Sequence, residues 1–136
     1  MDLMESLMVS AAGMKVQGDR LRVVAENLAN ADSVSEVPGG DPYRRKVITF
    51  KNALDKELGL ETVQVSKVGV DQSDFRMKYE PGNPAADAKG YVKLPNVDSL
   101  VEIMDMREAQ RSYEADLSVM ESTKQMLAKT VDLLNK

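Results

Sequence analysis

The side chains best suited to catalysis are missing from this sequence or badly spaced for it. Its 136 residues include no histidine and no cysteine. Without histidine there is no imidazole base, no imidazole metal ligand and no Ser–His or Cys–His pair. Without cysteine there is no thiolate chemistry and no disulfide, a composition that suits either redox compartment. Carboxylates, tyrosines and arginines remain. Glu102 with Asp105, and Glu114 with Asp116, sit among polar positions of a helix-forming stretch. A solvated helix face explains them better than acid–base work. Asp71 and Asp74 share a turn, but no Gly or bidentate Glu stands at EF-hand spacing. Gly39-Gly40 is not followed by the Lys-Ser or Lys-Thr that opens a phosphate-binding helix. Tyr113 falls on an apolar row, so packing is its expected role. No cofactor, no metal and no catalytic residue is expected, and the chain does not read as an enzyme.

The polar residues that do stand out suit contacts between protein surfaces. Asn27 and Asn30 lie three apart at the end of a helical stretch. Their amides can satisfy terminal carbonyls or pair with a neighbouring subunit. Arg111 can fork to a carboxylate or amide on an adjacent helix. Arg44-Arg45-Lys46 is the one basic cluster. With a net charge of −4 and a pI near 4.9, it reads as a solvated or subunit-contacting turn. A nucleic-acid site would need a wider positive field.

These residues are positioned by two amphipathic stretches at the chain ends. Residues 2–30 read as one helix. Asp2 with Glu5 three residues on forms a capping-box pattern. Leu7, Met14, Leu21 and Leu28 recur every seven residues. Ala11, Gly18 and Ala25 follow four behind the first three. One row of this seam is large and the other small. Gly13 and Gly18 each cost the helix roughly 1 kcal/mol relative to Ala, which packing against a close neighbour would explain. Residues 96–136 read as the longer helix. Asn96 or Asp98 can cap it, and Ser99 with Glu102 offers an alternative box. Met106, Tyr113, Met120, Leu127 and Leu134 recur every seven residues. Ile103, Leu117 and Val131 fill the second row, which Gln110 and Lys124 interrupt.

Residues 33–42 are rich in turn formers. Beyond them the pattern shifts toward period two. Residues 47–50, 62–70, 75–79 and 91–94 are strand candidates. The polar turn at residues 71–74 suggests a hairpin between the second and third of these. Residues 53–58 could add a helical turn, stopped by Gly59. The expected organisation is therefore an N-terminal helix of a coiled-coil domain (1–32), a loop and small β-hairpin insert (33–95), and the C-terminal helix of the coiled-coil domain (96–136). The expected fold class is mainly α with a small β insert, the terminal helices pairing as an antiparallel coiled coil. No run approaches ~20 apolar residues, so direct membrane insertion is not expected. Asp2 and Glu5 stand where a cleaved signal would carry Lys or Arg, so none is expected.

The two helical segments carry a resemblance. Ser10-Ala11-Ala12-Gly13-Met14, Leu21, Ala25 and Asn27 to Ser33 resemble the N-terminal signature of flagellar rod and hook proteins. Asn96-Val97-Asp98, Glu102, Met104-Asp105-Met106, Ala109-Gln110-Arg111 and Tyr113-Glu114-Ala115 look like their C-terminal signature. Pro42 to Lys46, Tyr79 to Pro84 and Lys89 to Val92 resemble proximal-rod members in particular. Asp116 departs from the pattern, in which Asn is common. The resemblance implies a structural subunit of the proximal rod of the bacterial flagellar basal body. Such a subunit polymerises through its terminal helices into a hollow torque-transmitting shaft that spans the periplasm. It implies export through the flagellar type III apparatus. It also implies other rod subunits, the MS-ring/export-gate adaptor protein and the P-ring bushing as partners, with no nucleic acid. Leu7, Ala11, Met14, Gly18, Leu21, Ala25, Leu28, Met106, Tyr113, Leu117, Met120, Leu127, Val131 and Leu134 are the expected assembly seam. Asn27, Asn30, Arg44, Arg45 and Arg111 are the expected subunit contacts. Periodicity alone leaves open a cytosolic coiled-coil adaptor or scaffold that docks a partner helix.

Overall fold

The computed structural model describes residues 2–136. Two long helices bracket four strands. The elements in chain order are α1 (Leu3–Ala29), β1 (Lys46–Asp55), β2 (Leu60–Val70), β3 (Arg76–Tyr79), β4 (Tyr91–Leu94) and α2 (Ser99–Leu134). Helix α1 starts where the sequence places a cap. The Glu5 amide donates to Asp2 Oδ1 (2.8 Å), and the Asp2 amide donates to Glu5 Oε2 (2.9 Å). This is the reciprocal capping box. Helix α2 is capped by Asp98, whose Oδ1 accepts from the Leu100 amide (3.0 Å) and, at 3.4 Å, from that of Val101.

The β region differs from its expectation, and with it the fold class. Helices take 47% of the described residues and strands 21%, so the fold is α with a substantial β part rather than mainly α. There are two separate two-stranded sheets, β1–β2 and β3–β4. Residues 53–55, expected as a helical turn, continue β1. The chain then reverses through residues 56–59, where Gly59 takes a φ of 67°. The hairpin partners are therefore β1 and β2. The polar turn at residues 71–74 does not join a hairpin; it separates strands of different sheets. In the second sheet β3 and β4 run antiparallel, with Arg76 opposite Leu94 and Tyr79 opposite Tyr91. Those two tyrosine rings meet edge to face at 5.2 Å.

The expected antiparallel coiled coil is also corrected. Where α1 and α2 meet, the contacts are polar or involve small residues. Asn27 donates to Glu102, Arg20 pairs with Glu108, and Gly13 lies against the Asp116 carboxylate. On α2 the inward row is Glu102, Ala109, Asp116 and Thr123, spaced by seven; three are buried and Asp116 is half-buried. Ile103, Leu117 and Val131, expected to fill that row, are exposed. The helix is rotated by one residue from the apolar reading, because Glu102 is drawn inward by its partners.

Contacts divide the chain into two compact units. The first contains residues 1–21, 49–67 and 107–136; the second contains residues 22–48 and 68–106. Each long helix thus contributes to both. Among the described residues the buried apolar side chains outside proline are only Val and Ala: Val16 and Ala109 in the first unit, and Val23, Val24, Ala31, Ala85, Val92 and Val97 in the second. Such small side chains remove little hydrocarbon from water. Hydrogen bonding accordingly carries a larger share of the second unit's specificity.

Candidate functional site

The second unit contains a polar node centred on Asn27, which is 1% exposed. Its Oδ1 accepts from the Lys46 amide (2.9 Å) and from the Tyr43 hydroxyl (2.7 Å). Its Nδ2 donates to the Lys46 carbonyl (2.9 Å) and to Glu102 Oε2 (3.3 Å). All four hydrogen-bonding positions of the amide are used. The paired bonds to Lys46 imitate a neighbouring strand, so a side chain of α1 holds the first residue of β1.

Glu102 is wholly buried. Besides Asn27 it accepts from Arg45 Nε, an ion pair as well as a hydrogen bond. Arg45 also lies 3.6 Å from Asp71. Burial works against the charge on Arg45, but the bond to Glu102 and the fields of Glu102, Asp71 and Asp105 outweigh it. The guanidinium is held above its ordinary pKa. Asn96 completes the surround. Its Oδ1 accepts from the Arg45 amide (2.8 Å), and its Nδ2 donates to the carbonyls of Asp71 and Ser73. Arg44 donates to the same two carbonyls and lies 4.2 Å over the Phe75 ring, a cation–π contact. Arg76 reaches the carbonyls of Ala31 and Pro95. At the rim Lys46 Nζ donates to Glu26 (2.7 Å), which lowers the Glu26 pKa and raises that of Lys46.

The residues picked out from sequence fall in different places. Asn27, Arg44 and Arg45 meet in the node. Asn30 does not; its Nδ2 donates to the Glu26 carbonyl at the end of α1 (2.8 Å). Arg111 is exposed on α2. Leu7, Met14, Gly18, Leu21 and Leu28 of α1 are half-buried, whereas Ala11 and Ala25 are exposed. A side-chain carbon added at Gly18 would meet nothing within 4 Å. On α2, Met106, Tyr113, Met120 and Leu127 are half-buried, and Leu117, Val131 and Leu134 are exposed. Sequence reasoning named Tyr43, Asn96 and Glu102 only as signature or capping residues and did not read the bonds they make in the node. The Pro42-Tyr43 turn next to three basic residues was the only available signal for the first.

No group of three or more acidic side chains that could hold a metal ion occurs among the described residues. The carboxylate at the centre is already neutralised by Arg45. The arrangement fixes the ends of α1, β1 and α2 against one another, which is a structural task.

The comparisons with known proteins decide which structure it serves. The flagellar basal-body rod protein FlgC of Agrobacterium fabrum is 54% identical over 126 residues, covering 93% of this chain and 91% of that protein. The chain belongs to the FlgC family of flagellar basal-body rod proteins. FlgC of Escherichia coli is 42% identical over 133 residues, with 98% of each chain covered. FlgC of Salmonella typhimurium is 43% identical over 135 residues with the same coverage. Residues 88–133 also match the family model described as flagellar basal body rod FlgEFG protein C-terminal. That match takes in β4 and nearly all of α2. FlgC membership makes this a structural component of the flagellar basal body, assembled with other rod components. The polar node thus serves a building block.

Proposed function

We propose that the chain is a subunit of the proximal rod, joined to its neighbours through its terminal helices in a hollow, torque-transmitting shaft that crosses the periplasm. Heterologous contacts that do not close generate a helical tube. The supporting observation is the apolar surface that the helices leave open. Leu117, Val119, Met126, Val131, Leu133 and Leu134 of α2 are all exposed, as is the small row Ala11 and Ala25 on α1. Large apolar side chains left exposed along one helix favour contacts with a partner. On this reading the polar node keeps each subunit rigid under load. The seam residues and Arg111 meet other subunits, the MS-ring/export-gate adaptor and the P-ring lie beyond, and the subunit leaves the cell interior by type III export.

The test is complementation of a strain lacking the subunit. Leu117→Asp places a charge on an exposed position, so the isolated chain should fold as the parent does. Motility and rod assembly should nevertheless be lost. Normal swimming with intact rods would reject the role assigned to Leu117.

A further inference from the structure

The first unit contains an open groove between α1 and the β1–β2 hairpin, with a volume of about 570 Å³. Met8, Ala12 and Val16 of α1 form one wall, and Leu58, Val63 and Val65 of the hairpin form the other. This size accepts several side chains. Its charged lining is Lys15, Asp19 and Asp55, a surplus of one negative charge.

The same unit carries a projection whose apolar side chains the other described residues leave exposed. Gly13 faces Asp116 and Arg20 faces Glu108. Extending that antiparallel register brings Leu3 level with Met126. Residues 127–134 therefore run past the start of α1. At 1.5 Å per residue they project by roughly 12 Å. Met126, Leu133 and Leu134 form one stripe there, and Val131 widens it. They are 54%, 72%, 81% and 54% exposed. Helical spacing puts Lys124 and Lys129 on the two borders of the stripe and Asp132 on the opposite side.

We propose that this projecting end of α2 seats in the α1–hairpin groove of a second copy of the chain. A chain does not fill its own groove with this end: α2 is continuous to Leu134 and contributes no residue to the lining. The groove runs along residues 8–19 of α1, roughly 17 Å, long enough to take the projection. Lysines bordering the stripe meet the acidic lining, chiefly Asp55. The contact is head to tail, so each seated end leaves the next copy's end free, and the copies add in one direction. This rests on the reading of the chain as a polymerising subunit and assigns one of its contacts.

The absence of cysteine makes a cross-linking test clean. Full-length Leu134→Cys and Gln64→Cys variants, mixed at high concentration and treated with a bismaleimide, should give dimers joined 134 to 64. Their yield should exceed that of dimers from either variant alone at least ~10-fold. Asp55→Lys in the Gln64→Cys partner should cut the yield several-fold, and Lys129→Asp in the other partner should restore part of it. No mixed dimer, equal yields from single variants, or a cross-link within one chain carrying both cysteines would overturn the proposal. The same pair is then probed in isolated basal bodies. If the parent chain restores motility but 134 and 64 of different copies do not cross-link there, the groove contact alone is wrong. If the parent chain does not restore motility, the rod reading itself has failed.

Discussion

Replacing Asn27 by Ala should be among the most damaging single changes to the isolated chain. The substitution leaves the Lys46 amide and carbonyl without the partners they have now. A fully buried backbone group left unpaired costs about 1–3 kcal/mol; these two are part-buried, so the pair should cost about 2–3 kcal/mol. Tyr43 is only partly buried, so its hydroxyl can turn to water. Glu102 keeps Arg45. Ala is the better helix former by up to about 0.7 kcal/mol, which offsets a fraction. A domain's whole stability is about 5–15 kcal/mol, so the loss should be plain. Urea unfolding followed by far-ultraviolet circular dichroism reads it through the two helices. Asn30→Ala is the control. It removes one bond to a helix-end carbonyl and should cost about 0.5–1.5 kcal/mol. If Asn27→Ala stays within about 1 kcal/mol of the parent, or Asn30→Ala costs as much, the bridging role derived for Asn27 is wrong.

Three further outcomes follow from single residues. Gly18→Ala should stabilise the isolated chain by about 1 kcal/mol, since the added carbon meets nothing within 4 Å; if that row contacts a neighbouring subunit, the same change should impair swimming, measured on soft agar. Asp116 is half-buried beside Gly13 and burial raises its pKa. The folded state therefore resists its ionisation, and the penalty is present at neutral pH and disappears as pH falls through the folded pKa. Asp116→Asn should raise the melting temperature at pH 7 and leave it unchanged below pH of about 3. The Asp71 pKa is lowered by the Ser73 amide, then by the Ser73 hydroxyl and Arg45. Its stabilisation is complete above the ordinary value and fades as pH falls through the folded one, so Asp71→Asn should flatten the acid limb of a stability–pH curve.

The parts of the fold governed by local spacing were legible in the sequence. Asp2 and Glu5 announce their reciprocal cap, and the helix ends fall within a few residues of where turn formers put them. The strand at residues 91–94 was visible from its alternation. What was hidden depends on partners far along the chain. Apolar periodicity turns Ile103 inward and leaves Glu102 for capping. In the fold Arg45 and Asn27 hold Glu102 inside and Ile103 faces out, because a paired carboxylate accepts burial that an unpaired one would resist. Strand pairing was misread for a related reason. Residues 71–74 look like a hairpin turn, but their carbonyls are engaged by Arg44 and Asn96, which no local pattern reveals. Of the candidate site, Asn27, Arg44 and Arg45 were visible as residue types, and their convergence was not.

The Val- and Ala-lined interior has a thermal consequence. Apolar surface exposed on unfolding raises the heat capacity and polar surface lowers it. A unit closed by Asn27, Glu102, Arg45 and Asn96 over small side chains releases little hydrocarbon and much polar surface when it opens. Its heat-capacity increment should fall below the usual ~12–15 cal/mol/K per residue. The stability curve is then flat, with little loss on cooling. The opened chain also shows few large apolar side chains from its interior, so it gives other unfolded copies little to stick to.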